Sequence, residues 1–199
     1  MEDEEKGYKV ILLGESSVGK TSLIKISIGK QFDSYEQPTL TASYFTKNIE
    51  YKKQIYKFYL WDTIGSERYR ALTKNFFQNS KIVLLVYDIT SKKSFKSLDY
   101  WFEAVKNVIG EGFLLAIIGN KIDLYLEEQV TLEEGQKYAE EKKAKFQLIS
   151  AKTSPAKFVD FLDGLFIEYI DNYITEKDKQ SQGIQINKFK KNKKKRKCC

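Results

Sequence analysis

Short apolar runs alternate with amphipathic stretches along this chain, and polar clusters stand where the runs end. Tyr8-Lys9-Val10-Ile11-Leu12-Leu13 opens the pattern as a short, strand-like segment. Leu23, Ile24 and Ile28 then repeat at helical spacing. Tyr44 to Tyr51 and Gln54 to Trp61 are two extended runs either side of a Lys52-Lys53 break, which predicts a hairpin. Ile82 to Tyr87, Phe113 to Gly119 and Lys145 to Ile149 are short apolar runs of buried-strand type. Phe95, Leu98, Trp101, Phe102, Val105, Val108 and Ile109 mark one face of a helix that Gly110 ends. Thr131-Leu132-Glu133-Glu134 is a capping box that opens another helix. Ser154-Pro155 starts a third, with Phe158, Phe161, Leu162, Leu165, Phe166, Tyr169 and Ile170 directed inward.

Repeated strand–helix units imply an α/β fold whose mostly parallel sheet is covered on both faces. The runs predict six strands, with one antiparallel strand contributed by the 44–61 hairpin. Ligands of such sheets bind at the carboxyl ends of the strands, where the polar clusters fall here. From about Thr175 the pattern fades into Glu176-Lys177-Asp178-Lys179-Gln180-Ser181-Gln182-Gly183, which reads as a flexible linker. The expected organisation is an acidic extension over 1–7, one domain over 8–174, and a linker with a basic tail over 175–199. No internal repeat interrupts it.

Composition narrows the picture in two ways. A chain of 199 residues suits one domain with a sizeable core. Its net charge of +7 is concentrated: eight Lys or Arg and no acid lie between Lys188 and Lys197, and removing those eight from 34 leaves 26 basic residues against 27 acidic. The body is thus close to neutral, which disfavours nucleic acid as its partner. The absence of histidine removes imidazole-based catalysis and His-rich metal sites. Both cysteines are the last two residues, so no disulfide frame is expected. Phe113 to Ile118 is too short to span a bilayer, and the acidic N-terminus precedes no apolar signal region. Glu2 excludes N-myristoylation, and the chain reads as made in the cytosol.

The chemistry begins at Gly14-Glu15-Ser16-Ser17-Val18-Gly19-Lys20-Thr21, which fits the phosphate-loop pattern GxxxxGK[ST] between a strand and a helix. Its glycines let the backbone curl so that N–H groups point at phosphate oxygens, and the helix adds its positive end. Lys20 would reach the outer phosphates and the Thr21 hydroxyl would ligate Mg²⁺. After the strand ending at Trp61 comes Asp62-Thr63-Ile64-Gly65. The carboxylate there can hold Mg²⁺, directly or through water, and the Gly65 N–H can approach a terminal phosphate closely. After the next apolar run but one comes Asn120-Lys121-Ile122-Asp123. A carboxylate accepts both the ring N–H and the exocyclic amine of guanine, and adenine offers no matching donor pair. Ser150-Ala151-Lys152 follows the last strand, with backbone N–H groups that can meet the guanine carbonyl oxygen.

On these residues the chain resembles the Ras superfamily of small GTPases, and most closely its Rab branch. The carriers are Gly14 to Thr21, Thr39, Trp61-Asp62-Thr63-x-Gly65, Asn120-Lys121-x-Asp123 and Ser150-Ala151-Lys152. Rab character comes from Glu67-Arg68-Tyr69-Arg70-Ala71-Leu72-Thr73, from Leu85-Val86-Tyr87-Asp88-Ile89-Thr90, and from Cys198-Cys199. The resemblance implies a phosphate-loop small G domain with about five helices. It implies a GTP/GDP site built from Gly14, Ser16, Ser17, Val18, Gly19, Lys20, Thr21, Ser22, Phe32, Thr39, Gly65, Asn120, Lys121, Asp123, Ser150, Ala151 and Lys152, with Mg²⁺ on Thr21, Thr39 and Asp62. Phe32 would stack beside the guanine and Lys121 would pack over it. Residues 33–45 and 65–78 would be the two switches that partners read. Those partners would be effectors, an exchange factor, a GTPase-activating protein, an escort or GDI-type chaperone and a prenyltransferase.

Four positions depart from the family pattern. Ser66 stands where most members carry the glutamine that orients the attacking water, and Ile64 replaces a small residue beside it. Ser16 replaces a common glycine, and Leu40-Thr41 replaces Ile-Gly. Serine is too short to hold the water as glutamine does, so slow intrinsic hydrolysis is expected, or an activating protein supplying the side chain in trans. The Lys188–Lys197 run could bind nucleic acid, act as a nuclear signal, or lie on anionic lipid. Arg196 occupies the position where CaaX prenylation needs a cysteine. Cys198 and Cys199 instead resemble the double geranylgeranylation signal of Rab proteins, and two lipids anchor stably where one is marginal. The expected location is the cytoplasmic face of an endomembrane, with a cytosolic pool. A nucleotide kinase using the same loop is opposed by Asn120-Lys121-Ile122-Asp123.

Overall fold

The computed structural model describes residues 7–65 and 76–174. Its centre is strand β1 (Tyr8–Leu13), whose side chains alternate between two cores because successive strand residues point to opposite faces. Val10 and Leu12 join one apolar cluster with Phe58, Leu84, Phe158 and Phe166. Ile11 and Leu13 join the other, with Val83, Leu85, Trp101 and Val105. The remaining strands are β2 (Ser43–Tyr51), β3 (Gln54–Asp62), β4 (Ser80–Asp88), β5 (Leu114–Asn120) and β6 (Lys145–Leu148). They form one six-stranded sheet in the order β2-β3-β1-β4-β5-β6. Only the β2–β3 pair is antiparallel, as the Lys52-Lys53 break anticipates.

Five α-helices among the described residues cover the sheet: α1 (Lys20–Ser27), α2 (Lys92–Lys96), α3 (Leu98–Ile109), α4 (Leu132–Glu141) and α5 (Pro155–Tyr173). The Phe166 ring on α5 stacks on Phe58 of β3 at 3.9 Å between centroids. Thr131 and Glu134 close the capping box reciprocally at the start of α4. A 3₁₀ segment, Ile122–Glu127, joins β5 toward α4.

The single helix expected from Phe95 to Ile109 is divided at Ser97 into α2 and α3. Serine hydroxyls compete with the helical ladder here: Ser94 Oγ donates to Ser91 O at 2.8 Å and Ser97 Oγ to Ser94 O at 2.8 Å. Trp101 and Val105 are buried as expected, whereas Val108 near the end of α3 is exposed. Three strands run one residue past their apolar pattern, so Asp62, Asp88 and Asn120 close β3, β4 and β5. All three are buried at the carboxyl edge of the sheet.

Candidate functional site

The loop between β1 and α1 sets the first half of the site. Ser17 and Gly19 take φ of 65° and 99°, left-handed backbone of the kind that turns successive N–H groups to one side. Helix α1 begins without a side-chain cap and without an acid in its own first turn, so its first N–H groups and positive end are open to an anion. Lys20 is buried, and its Nζ donates to Gly14 O at 3.0 Å and Glu15 O at 2.9 Å. Burial lowers its pKa to about 8, with the Asp62 and Glu15 charges opposing the drop. Gly65 is pressed against this amine: a Cβ there would lie 2.4 Å from Lys20 Nζ and 2.6 Å from Glu15 O. Any side chain at 65 would displace the lysine or the loop.

Next to Lys20, three oxygens from three elements converge. Thr21 Oγ1 donates to Asp62 Oδ2 at 2.8 Å and Thr39 Oγ1 to the same oxygen at 3.3 Å, while the two hydroxyls stand 2.8 Å apart. Asp62 Oδ1 is buried with no hydrogen-bond partner among the described residues. Burial raises the Asp62 pKa, against the hydrogen bonds and the Lys20 charge. Two hydroxyls and a half-satisfied buried carboxylate are the hard oxygen donors that suit Mg²⁺, which takes few protein ligands and completes its shell with water and phosphate oxygens. The residues fit the ion; Thr21, Asp62 and Thr39 would hold it.

The second half lies at the ends of β5 and β6. Asn120 is buried and joins three loops: its Nδ2 donates to Val18 O at 2.8 Å and its Oδ1 accepts from Ala151 N at 3.2 Å. Ser150 Oγ donates to Asp123 Oδ1 at 2.5 Å, fixing that carboxylate, and accepts from Lys152 N at 3.1 Å and Thr153 N at 2.9 Å. Lys121, with φ of 69°, lays its Nζ 2.6 Å from Asp88 Oδ2. Both halves open on one cavity of about 580 Å³. Ser16, Ser17, Gly19, Lys20, Thr21, Ser22, Phe32, Thr39, Gly65, Asn120, Lys121, Asp123, Ala151 and Lys152 line it. Gly14, Val18, Asp62 and Ser150 act from behind through the bonds above. A cavity with a phosphate loop at one end and a fixed carboxylate at the other has the form of a purine nucleotide site.

Residues 9–162 match the profile of the Ras family. The chain belongs to the Ras family. Ras-related protein RabC of Dictyostelium discoideum is 40% identical over 152 residues, 75% of this chain and 78% of RabC. Ras-related protein Rab-21 of Homo sapiens is 38% identical over 156 residues, 78% of this chain and 69% of Rab-21. This is a Rab-type small GTPase, an enzyme class that binds GTP and GDP and generally uses Mg²⁺.

Within this Rab-type GTPase the geometry gives Ser150 a role beyond the one its sequence position suggests. The backbone N–H groups of Ser150, Ala151 and Lys152 each donate inside the protein, to Ser154 Oγ, Asn120 Oδ1 and Ser150 Oγ. The Ser150 hydroxyl orients Asp123. Thr63 likewise matters in a way its motif does not reveal: buried beside Asp62, it donates to Leu12 O at 2.6 Å and ties the segment after β3 to the end of β1, just before the phosphate loop. Glu36 lines the cavity and pairs with Lys25. Neither bond is marked by spacing: Thr63, though a motif residue, reaches back to β1, and Glu36 pairs with a residue on a different element. Ser66 and the lipidation candidates Cys198 and Cys199 lie outside the described residues.

Proposed function

We propose that this GTPase is a membrane-anchored switch that controls intracellular vesicle traffic by recruiting effectors in its GTP state. The observation that carries the reading is the meeting of Thr39 with Thr21 and Asp62. Two of these are fixed on α1 and β3, whereas Thr39 arrives on a segment with no regular secondary structure. A loop held by Mg²⁺ and a terminal phosphate is ordered in one nucleotide state and released in the other. Bound Mg²⁺ supplies charge neutralisation at the phosphate oxygens. Residues 33–45 and 65–78 are the proposed switches, and the names of RabC and Rab-21 support a Rab-type set of partners. No helix among the described residues is long and apolar enough to cross a membrane. Attachment is assigned to lipid on Cys198 and Cys199 because the paired thiols resemble a double prenylation signal and lie beside a basic run in which each residue adds about 1 kcal/mol near an anionic leaflet. Cys198,Cys199→Ser protein carrying an N-terminal fluorescent tag is expected to leave the cytoplasmic face of endomembranes for the cytosol. Unchanged membrane attachment contradicts the lipid assignment.

Hydrolysis is the step at which this chain departs from the family pattern. Ser66 cannot orient water as glutamine does, and Ile64, half-buried, occupies the cavity wall next to Gly65. Single-turnover hydrolysis is expected to rise ten- to a hundred-fold in Ser66→Gln, about 1.4–2.7 kcal/mol of barrier. Equal rates would remove Ser66 as the cause. Ile64 also favours a second reading, a binding module held mainly with GTP. Nucleotide eluted from protein purified from its own cell separates them: mostly GDP for the switch, mostly GTP for the module.

A further inference from the structure

Between Phe32 and Pro38 the loop is tied mainly to itself: Tyr35 N donates to Asp33 and Gln37 Nε2 to Tyr35 O. Among the described residues, one hydrogen bond or ion pair carries this stretch to the body of the protein, from Glu36 to Lys25 on the last turn of α1. Both side chains are about three-quarters covered. Glu36 also lines the cavity with Lys20, Thr21 and Thr39, three residues before the one that reaches Asp62. A carboxylate at that end of a triphosphate site is a liability, because like charge opposes the ligand.

We propose that Lys25 is a positioning residue for GTP, tethering the loop that carries Thr39 and neutralising Glu36 at the phosphate end of the cavity. The two functions predict unequal consequences when either partner is removed. Glu36→Gln removes the tether and the unwanted charge together. Lys25→Gln removes the tether and leaves the carboxylate unpaired in the cavity lining. A pair that merely stabilises the fold responds equally to both changes, since the same ion pair disappears.

The proposal rests on the switch reading for the meaning of Thr39, and Thr39→Ala is therefore included as a separate arm. The measurement is release of fluorescent GTP and GDP analogues from full-length protein with Mg²⁺. Lys25→Gln is expected to speed GTP-analogue release about ten-fold and Glu36→Gln about three-fold. The double variant is expected to match Glu36→Gln rather than sum the two, and GDP-analogue release to change less throughout. Raising salt is expected to narrow the gap between the single variants. Equal acceleration by the two single variants, or none, overturns the proposal. A silent Thr39→Ala with the asymmetry intact overturns the switch reading and leaves the Lys25 role standing.

Discussion

Lys20→Ala is expected to weaken GTP binding about a thousand-fold, roughly 4 kcal/mol, the scale of removing a charge-assisted hydrogen bond from a dry site. The amine is buried and, among the described residues, its hydrogen bonds go to two carbonyls, Gly14 O and Glu15 O, so it is held ready without a carboxylate bonded to it. The same desolvation gives the interaction a pH signature. Burial brings the Lys20 pKa down to about 8. A phosphate beside it favours the charged form and raises that value. Below about pH 8 the amine is charged with or without nucleotide, and affinity is flat. Above it, binding must take up a proton, so affinity falls as pH rises toward the ordinary lysine range, by up to about ten-fold per unit. Fluorescence titrations from about pH 7 to 9, spanning the lowered lysine value, read the slope. Guanine's own ring titration contributes equally to wild type and variant, so the difference belongs to Lys20. An identical slope in Lys20→Ala would rule out the lysine as its source.

At the other end, Asp123→Ala is expected to lower GTP affinity a hundred- to a thousand-fold, about 3–4 kcal/mol, and to reduce discrimination against ATP by a similar factor. The carboxylate matches the two donors that distinguish guanine, and the Ser150 hydroxyl at 2.5 Å holds it in place. Removing it leaves both guanine donors unpaired in the cavity while costing adenine nothing. Competition between GTP and ATP for a fluorescent analogue measures the ratio directly. Discrimination that survives Asp123→Ala would mean that another group reads the base.

Most of the architecture is legible in the sequence because burial on both sides of a sheet leaves a strong mark: runs such as Ile82 to Tyr87 admit few other readings. The clusters at 62, 120 and 150 are legible because each falls where a strand ends, and the topology brings strand ends together. The split at Ser97 is not, since it depends on hydroxyls turning back on their own helix, and serine is compatible with an unbroken helix as well. Glu36, and the bond that the motif residue Thr63 makes, are invisible for a different reason. Their importance comes from what stands opposite them, Lys25 and Leu12 O, and neither pairing leaves a periodic trace. Ser150 is legible for the wrong atom: its position after a strand points to backbone donors, whereas its side chain orients the acid.

Asn120 has a consequence for how the nucleotide's two ends act together. By holding Val18 O and Ala151 N with one amide, it fixes the distance between the phosphate half and the base half of the site. Guanosine and a free polyphosphate would each surrender their own translational and rotational freedom on binding, whereas the intact nucleotide surrenders it once. That advantage is realised only if the two half-sites hold a constant separation. The spacing is set while the chain folds, so the protein meets GTP with a ruler already cut to its length.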